Sequence, residues 1–110
     1  QSVRDIYQNS FLAALFINVF LAPFLEEFVF RLGFNNIKNK YLYLFLSSFV
    51  FALFHAFGSF YNLISLVYIL PYFALGLTFG IVYYRSSNVF DSIVIHALHN
   101  AVILFLYFIL

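Results

Sequence analysis

The most informative stretch of the sequence is APFLEEFVFRLG, from Ala22 to Gly33. It places two carboxylates and a guanidinium in a segment that is otherwise as apolar as a membrane helix. Each charged side chain near the middle of a spanning helix costs about 2.5–3.5 kcal/mol. Because three uncompensated charges would be too costly, we expect some of them to be paired inside the protein.

Helix geometry separates the two acids. Glu27 and Arg31 are four residues apart, with the acid on the N-terminal side, which is the favourable order for an ion pair on one helix face. Glu26 lies about 100° round the helix and must find its partner elsewhere, as a histidine, a water, a metal or a proton. Glu26 is therefore the chemically available carboxylate, unless the three charges form an ion-pair cluster that only fixes helix packing.

The composition indicates a membrane protein. The chain is 65% hydrophobic and 8% charged, with a mean hydropathy of +1.02, whereas soluble domains have about a quarter charged residues. We expect a multi-pass protein of the cell membrane, in contact with membrane lipid. The 110 residues suit one domain, 1–110, which looks excised from a longer membrane protein. The absence of cysteine excludes disulfides and thiolate sites, and no basic cluster suggests nucleic acid.

The long apolar segments predict an all-α fold, a polytopic transmembrane helix bundle of about four spanning helices around a polar intramembrane cavity. The first span runs from about residue 11 through the glutamates, with a kink expected at Pro23. The others cover about 41–57, 63–84 and the segment from Asp91 or Ser92, as helix cap, to the end. We expect residues 1–10 to form an interfacial segment that leads into the first span, and residues 58–62 to form a turn. Gly76 and Gly80 predict a close helix contact.

Further polar residues lie on two other helices: His55 on the second, and His96, His99 and Asn100 on the fourth. His96 and Asn100 share one helical face. Each histidine alone has an ordinary explanation as a hydrogen bond between helices, and for His99 that explanation is as good as a functional one. Burying the polar groups of three helices separately would be expensive, so we expect one shared cavity.

Three motifs occur in order on separate apolar helices. Residues 26–31 match EExxxR, residues 51–55 match FxxxH, and residues 96–100 match HxxxN. This combination resembles the CAAX protease and bacteriocin-processing family, also called the Abi family, including the type II CAAX prenyl proteases. The resemblance spans nearly the whole chain. One departure is Leu32, which stands between Arg31 and Gly33 where the family often has glycine directly after the arginine.

The resemblance implies an intramembrane glutamate-dependent endopeptidase without a cofactor. It implies that Glu26 and His55 activate the hydrolytic water and that His96 and Asn100 stabilise the oxyanion. The supporting residues would be Glu27, Arg31 and Phe51. The substrate would be a membrane-associated peptide, such as a bacteriocin or pheromone precursor, or the tail of a prenylated CAAX protein.

Two alternatives stay open. In the first, the protease is zinc-dependent, with Glu26, His55 and His96 as a two-histidine, one-carboxylate metal site. In the second, the protein is a non-catalytic membrane scaffold or bacteriocin-immunity protein that grips a peptide or a partner membrane protein.

Counting depth along the helices gives further expectations. Lys38, Lys40 and Arg85 flank two connections on one membrane side, which the positive-inside rule places in the cytoplasm. For Glu26 to reach the depth of His55, the first helix would have to run past Gly33 to about residue 38. For His96 to reach the depth of His55, the 85–92 loop would have to dip into the membrane. The loop would then line a water-filled funnel that admits substrate from the lysine-bearing side.

Overall fold

The computed structural model describes Ser2, Asp5 and residues 10–56 and 63–110. Four helices follow one another in the described part of the chain: α1, Phe11–Leu32; α2, Lys40–Ala56; α3, Ile69–Ser86, which a 3₁₀ turn at Ile64–Tyr68 leads into; and α4, Val89–Ile109. The described residues contain no strand, which confirms the all-α bundle. The interfacial segment at 1–10 lies largely, and the turn at 58–62 wholly, outside the described residues.

The helices have the length and surface of a membrane bundle. Three stretches, Phe11–Leu32, Leu66–Ser86 and Val89–Ile109, are long and apolar enough to cross a membrane, whereas α2 is a shorter apolar helix. In each long stretch, only 17% of an apolar 18-residue window is buried inside the bundle. Most of the outward-facing side chains are large and apolar, among them Leu12, Phe20 and Phe105. Such a surface is stable against lipid but not against water.

The helix α1 alternates between α-helical and π-helical turns. The segments Phe16–Leu21 and Phe28–Leu32 are π-helical, and Ala22–Glu27 between them is α-helical. The Ala22 N–H donates to the Ile17 carbonyl, five residues earlier, and Pro23 follows directly and is fully buried. Because proline has no N–H to donate, the helix accommodates it at this widened turn. At the position where the sequence predicts a kink, the structure has a π-helical turn directly before Ala22 and Pro23.

The expectation that α1 overruns Gly33 is wrong. The helix ends at Leu32, and hydrogen bonds from the Asn35 N–H to the Leu32 carbonyl and from the Ile37 N–H to the Phe34 carbonyl form turns there. The membrane depths of Glu26 and His55 were estimated from residue counts along each helix. That estimate failed because helices need not be parallel and because side chains can meet although their backbones lie at different depths.

The expected loop between α3 and α4 is also absent. Only Ser87 and Asn88 connect the two helices, and Ser87 adopts a left-handed backbone conformation with φ of 57°. Asn88 caps α4 by accepting a hydrogen bond from the Phe90 N–H, so the cap is not Asp91 or Ser92. A segment this short and exposed cannot form the membrane-dipping funnel.

The predicted small-residue contact joins α3 to α2. A Cβ atom added at Gly76 would lie 3.1 Å from the Ser48 Cα atom, and one added at Gly80 would lie 3.2 Å from Leu44 Cδ2. The helices therefore approach closely on this face, as predicted. The buried aromatic core beside it consists of Phe30, Phe51 and Phe79.

Candidate active site

The Glu27–Arg31 pair forms the closed base of the polar region. Arg31 Nε donates to Glu27 Oε1 at 2.8 Å, and both side chains are completely buried, which confirms the predicted ion pair. Arg31 Nη1 donates to Ser47 Oγ at 3.4 Å, and the Tyr43 hydroxyl donates to the Arg31 carbonyl at 2.9 Å. The two charges are thus neutralised within α1 and held in place by α2.

His96 binds the second oxygen of Glu27. Its Nδ1 lies 2.8 Å from Glu27 Oε2. Since Arg31 holds Glu27 as a carboxylate, Nδ1 carries the hydrogen and donates, and Nε2 points toward Glu26 Oε1, 3.7 Å away. The Phe79 ring stacks on the imidazole with centroids 4.4 Å apart. Sequence reasoning missed this contact, although a carboxylate that uses one oxygen for Arg31 still needs a donor for the other.

Glu26 contacts His55 on α2. Glu26 Oε1 lies 2.6 Å from His55 Nε2, and His55 Nδ1 lies 2.8 Å from the Phe51 carbonyl. A carbonyl only accepts, so Nδ1 carries a hydrogen, and the short contact at Nε2 must contain one shared proton. The Phe51 ring stacks on the imidazole with centroids 4.0 Å apart, so Phe51 supports His55 through both its carbonyl and its ring.

A cavity of about 350 Å³ joins these groups. The side chains of Glu26 and His55 are 21% and 20% exposed, whereas that of His96 is 4% exposed. The structure therefore brings together all four residues for which the resemblance implies a catalytic role. The cavity is lined mainly by aromatic and aliphatic residues, together with Asn18, Glu26, His55, His96, His99 and Asn100.

Asn100 connects α4 to the first half of α1. Its Nδ2 donates to the main-chain carbonyl of Asn18 at 2.8 Å, and its Oδ1 accepts a weak hydrogen bond from His99 Nδ1 at 3.4 Å. The sequence contained a signal for this contact, since Asn18, Ala22 and Glu26 recur every four residues and line the same cavity. Sequence reasoning gave Asn18 no role.

The cavity extends away from the lysine-bearing side. It runs from Glu26 and His96 toward Asn18, in the first half of α1, and Tyr107, near the end of α4. On the opposite side, the fully buried Glu27 and the equally buried residues Arg31, Ser47, Ser48 and Ser92 close it. The predicted funnel at residues 85–92 is therefore wrong, because packing closes the base of the site below that connection.

The described part of the chain contains no group of three or more His, Cys, Asp or Glu side chains arranged to hold a metal ion. His55 Nε2, which would have to bind zinc in the zinc-dependent alternative, is in contact with Glu26. His96 Nδ1 is likewise occupied by Glu27, which leaves Nε2 as its available ligand atom. Zinc binding would require Glu26 and His55 to separate.

The fold and site define a multi-helix membrane protein in which an acid and two histidines from three helices share one cavity. The chain matches the family described as type II CAAX prenyl endopeptidase, Rce1-like, over residues 8–102, and it belongs to that family. No curated protein and no solved structure matches the chain. Family membership supports a CAAX endopeptidase type of function in broad terms.

Proposed function

We infer that the protein is an intramembrane endopeptidase in which Glu26 and His55 activate the water that hydrolyses a peptide bond. The observation that carries this proposal is the contact of 2.6 Å between Glu26 Oε1 and His55 Nε2 at the wall of a cavity. A carboxylate and an imidazole that share one proton are suited to moving protons at a reacting centre. The apolar cavity wall strengthens their electrostatic effect on the substrate.

The reaction proceeds from the state in which the shared proton is on His55. The Glu26 carboxylate takes a proton from water while the water oxygen bonds to the scissile carbonyl carbon. The carbonyl electron pair moves to its oxygen, which becomes the oxyanion. When this pair re-forms the carbonyl, the C–N bond breaks, and the leaving nitrogen takes the proton that came from water.

His96 and Asn100 stabilise the oxyanion. The Asn100 amide donates an N–H to it, and one such donor is worth about 2.7–4 kcal/mol. His96 in its resting state has its hydrogen on Nδ1, facing Glu27. It therefore acts only after Glu26, whose Oε1 is 3.7 Å from Nε2, passes it the proton from water. The resulting imidazolium lies against the Glu27 carboxylate, stabilises the oxyanion and returns the proton to the leaving amine.

The proposed substrate is a lipid-associated peptide in the cell membrane. Family membership favours the prenylated tail of a CAAX protein, and a bacteriocin or pheromone precursor is the second candidate. Both have a peptide next to an apolar anchor. The mostly apolar cavity and the exposed apolar faces of α1 and α4 suit a peptide delivered from the bilayer.

The test is cleavage by the purified full-length protein in detergent. It is incubated with two sets of synthetic peptides, farnesylated peptides ending in CAAX sequences and unprenylated precursor peptides, and the products are mapped by mass spectrometry. The Glu26→Ala protein is the matched control. Cleavage at one bond by the wild type and not by this variant supports the proposal. Absence of cleavage in both sets would favour the scaffold or immunity alternative.

A chelator separates the metal-free mechanism from the zinc-dependent one. The proposed mechanism predicts the same rate before and after treatment with 1,10-phenanthroline and dialysis. A loss of activity that added zinc reverses would establish the zinc alternative, with Glu26, His55 and His96 as ligands.

A further inference from the structure

We propose that Pro23 and the π-helical turn before it are positioning elements that fix the orientation of the Asn100 amide in the cavity. The proposal rests on the proposed function, because it concerns the oxyanion donor of that reaction. It assigns a role to Pro23, a fully buried residue of α1 that makes no hydrogen bond to Glu26 or to the histidines.

The register of α1 connects Pro23 to Asn18. In the π-helical turn the N–H of Ala22 donates to the carbonyl of residue 17, which is a spacing of five residues. With the same five-residue spacing, the backbone N–H of any residue other than proline at position 23 would donate to the carbonyl of Asn18. Proline has no N–H, so it withdraws that intrahelical donor. The Asn18 carbonyl instead accepts a hydrogen bond of 2.8 Å from Asn100 Nδ2 on α4.

This bond sets the direction of the whole Asn100 amide. The amide is planar and its nitrogen carries two hydrogens, so anchoring one N–H on Asn18 fixes the direction of the second. The Asn18 carbonyl can only accept, so the nitrogen end of the amide must face it, and the weak contact of 3.4 Å between Asn100 Oδ1 and His99 Nδ1 lies at the other end of the same group. The second N–H is therefore part of an amide that lines the same cavity as His96 and Glu26.

Replacing Pro23 by alanine adds the missing N–H at the centre of this arrangement. The new donor competes with Asn100 for the Asn18 carbonyl, and the amide loses the anchor that orients it. Alanine is the best helix former and proline the worst, so the substitution should not weaken the helix. The proposal thus predicts a loss of catalysis without a loss of stability, which a merely structural proline would not produce.

The experiment measures kcat, KM and the thermal midpoint of unfolding in detergent for the full-length protein. The substrate is an internally quenched form of the peptide cleaved fastest in the screen above. The variants are Pro23→Ala, Asn100→Ala and the double variant, with Pro71→Ala as matched control, because Pro71 is an exposed helical proline that does not line the cavity.

We expect Asn100→Ala to lower kcat by about 10²–10³-fold, the effect of one oxyanion donor. We expect Pro23→Ala to lower kcat about tenfold with KM within about twofold, and the double variant to equal Asn100→Ala alone, since linked residues are not additive. The melting temperature of Pro23→Ala should be unchanged or higher, and Pro71→Ala should leave kcat unchanged.

Two kinetic results would overturn this proposal while leaving the proposed function intact. They are a Pro23→Ala protein with wild-type kcat, and losses from Pro23→Ala and Asn100→Ala that multiply in the double variant. A lower melting temperature that accompanies the loss of kcat would also overturn it in favour of a structural role. An Asn100→Ala protein with wild-type kcat would instead remove Asn100 from the proposed mechanism itself.

Discussion

Glu26 and Glu27 are neighbours in the chain, yet they occupy two different regions of the polar site. Glu27 belongs to the closed base, where Arg31 and His96 take one oxygen each and no solvent reaches the side chain. Glu26 belongs to the open cavity, where its side chain is 21% exposed and contacts His55. The step of about 100° between adjacent helical residues separates the carboxylate buried in the closed base from the one that lines the cavity.

The largest expected effect is the loss of cleavage in Glu26→Gln. Glutamine keeps the size and polarity of the side chain but cannot take a proton from water, so kcat should fall by at least about 10³-fold. The thermal midpoint of unfolding should change little, because glutamine can still contact His55 from the cavity wall. A Glu26→Gln protein that cleaves at the wild-type rate would end the distinction between the two glutamates.

Arg31→Ala tests the closed base. Removing one partner of a buried ion pair leaves an uncompensated charge, which is expected to cost about 3–5 kcal/mol of unfolding free energy. The measurement is equilibrium unfolding in mixed detergent micelles, with Glu26→Gln as the matched control of the open region. Equal stability of the two variants would mean that Glu27 is not dependent on Arg31 and that the closed base is no more structural than the cavity wall.

Single cysteines test which membrane side the open region faces. The chain has no cysteine, so Tyr107→Cys, Ile103→Cys, Ser87→Cys and Asn88→Cys each carry one thiol. We expect the first two, at the cavity wall, to react with a membrane-impermeant thiol reagent on one side of a proteoliposome and to be protected several-fold by bound peptide. The other two should react from the opposite side whether or not peptide is present.

Ser92→Cys should not react with the reagent, because Ser92 is completely buried. Substrate protection at Ser87→Cys or Asn88→Cys, with free labelling of Tyr107→Cys, would reverse the assignment of the cavity mouth.

The sequence predicted the closed base better than the open cavity. The Glu27–Arg31 pair follows from the spacing within one helix, and the glycine contact follows from small residues on one face, so both were local inferences. Contacts between helices depend on inclination and side-chain reach, which spacing does not contain. The depth count therefore failed for Gly33 and for the 85–92 segment, although the motifs had already identified the residues that meet.

The contact between His96 and Glu27 shows a second limit of sequence reasoning. The HxxxN spacing paired His96 with Asn100 on one face of α4, but the histidine also binds a carboxylate 69 residues earlier in the chain. Counting the unfilled hydrogen-bonding capacity of Glu27 would have predicted a donor without identifying it. The proposed role of Pro23 could not be predicted either. A proline in a helical pattern suggests a kink, but it does not indicate which side chain will bind the carbonyl that loses its N–H donor.

The smallest expected effects are on stability and concern Gly76 and Gly80, which let α3 pack closely against α2 and the closed base. A Cβ atom at Gly76 would lie 3.1 Å from the Ser48 Cα atom, which is backbone and cannot yield without moving α2. A Cβ atom at Gly80 would meet the ends of two side chains, Leu44 Cδ2 at 3.2 Å and Arg31 Nη1 at 3.3 Å. Overpacking costs about 1–3 kcal/mol, and replacing a helical glycine by alanine returns about 1 kcal/mol.

We therefore expect Gly76→Ala to lower the free energy of unfolding by up to about 2 kcal/mol, the overpacking cost less the helical gain. Gly80→Ala should change it by less, because the Leu44 side chain can rotate away. Equilibrium unfolding of both variants, with Thr78→Ala on the exposed face of α3 as the matched control, measures the difference. If Gly80→Ala proved the more damaging of the two, Arg31 rather than the α2 backbone would be the rigid element, and the closed base would extend across the contact with α3.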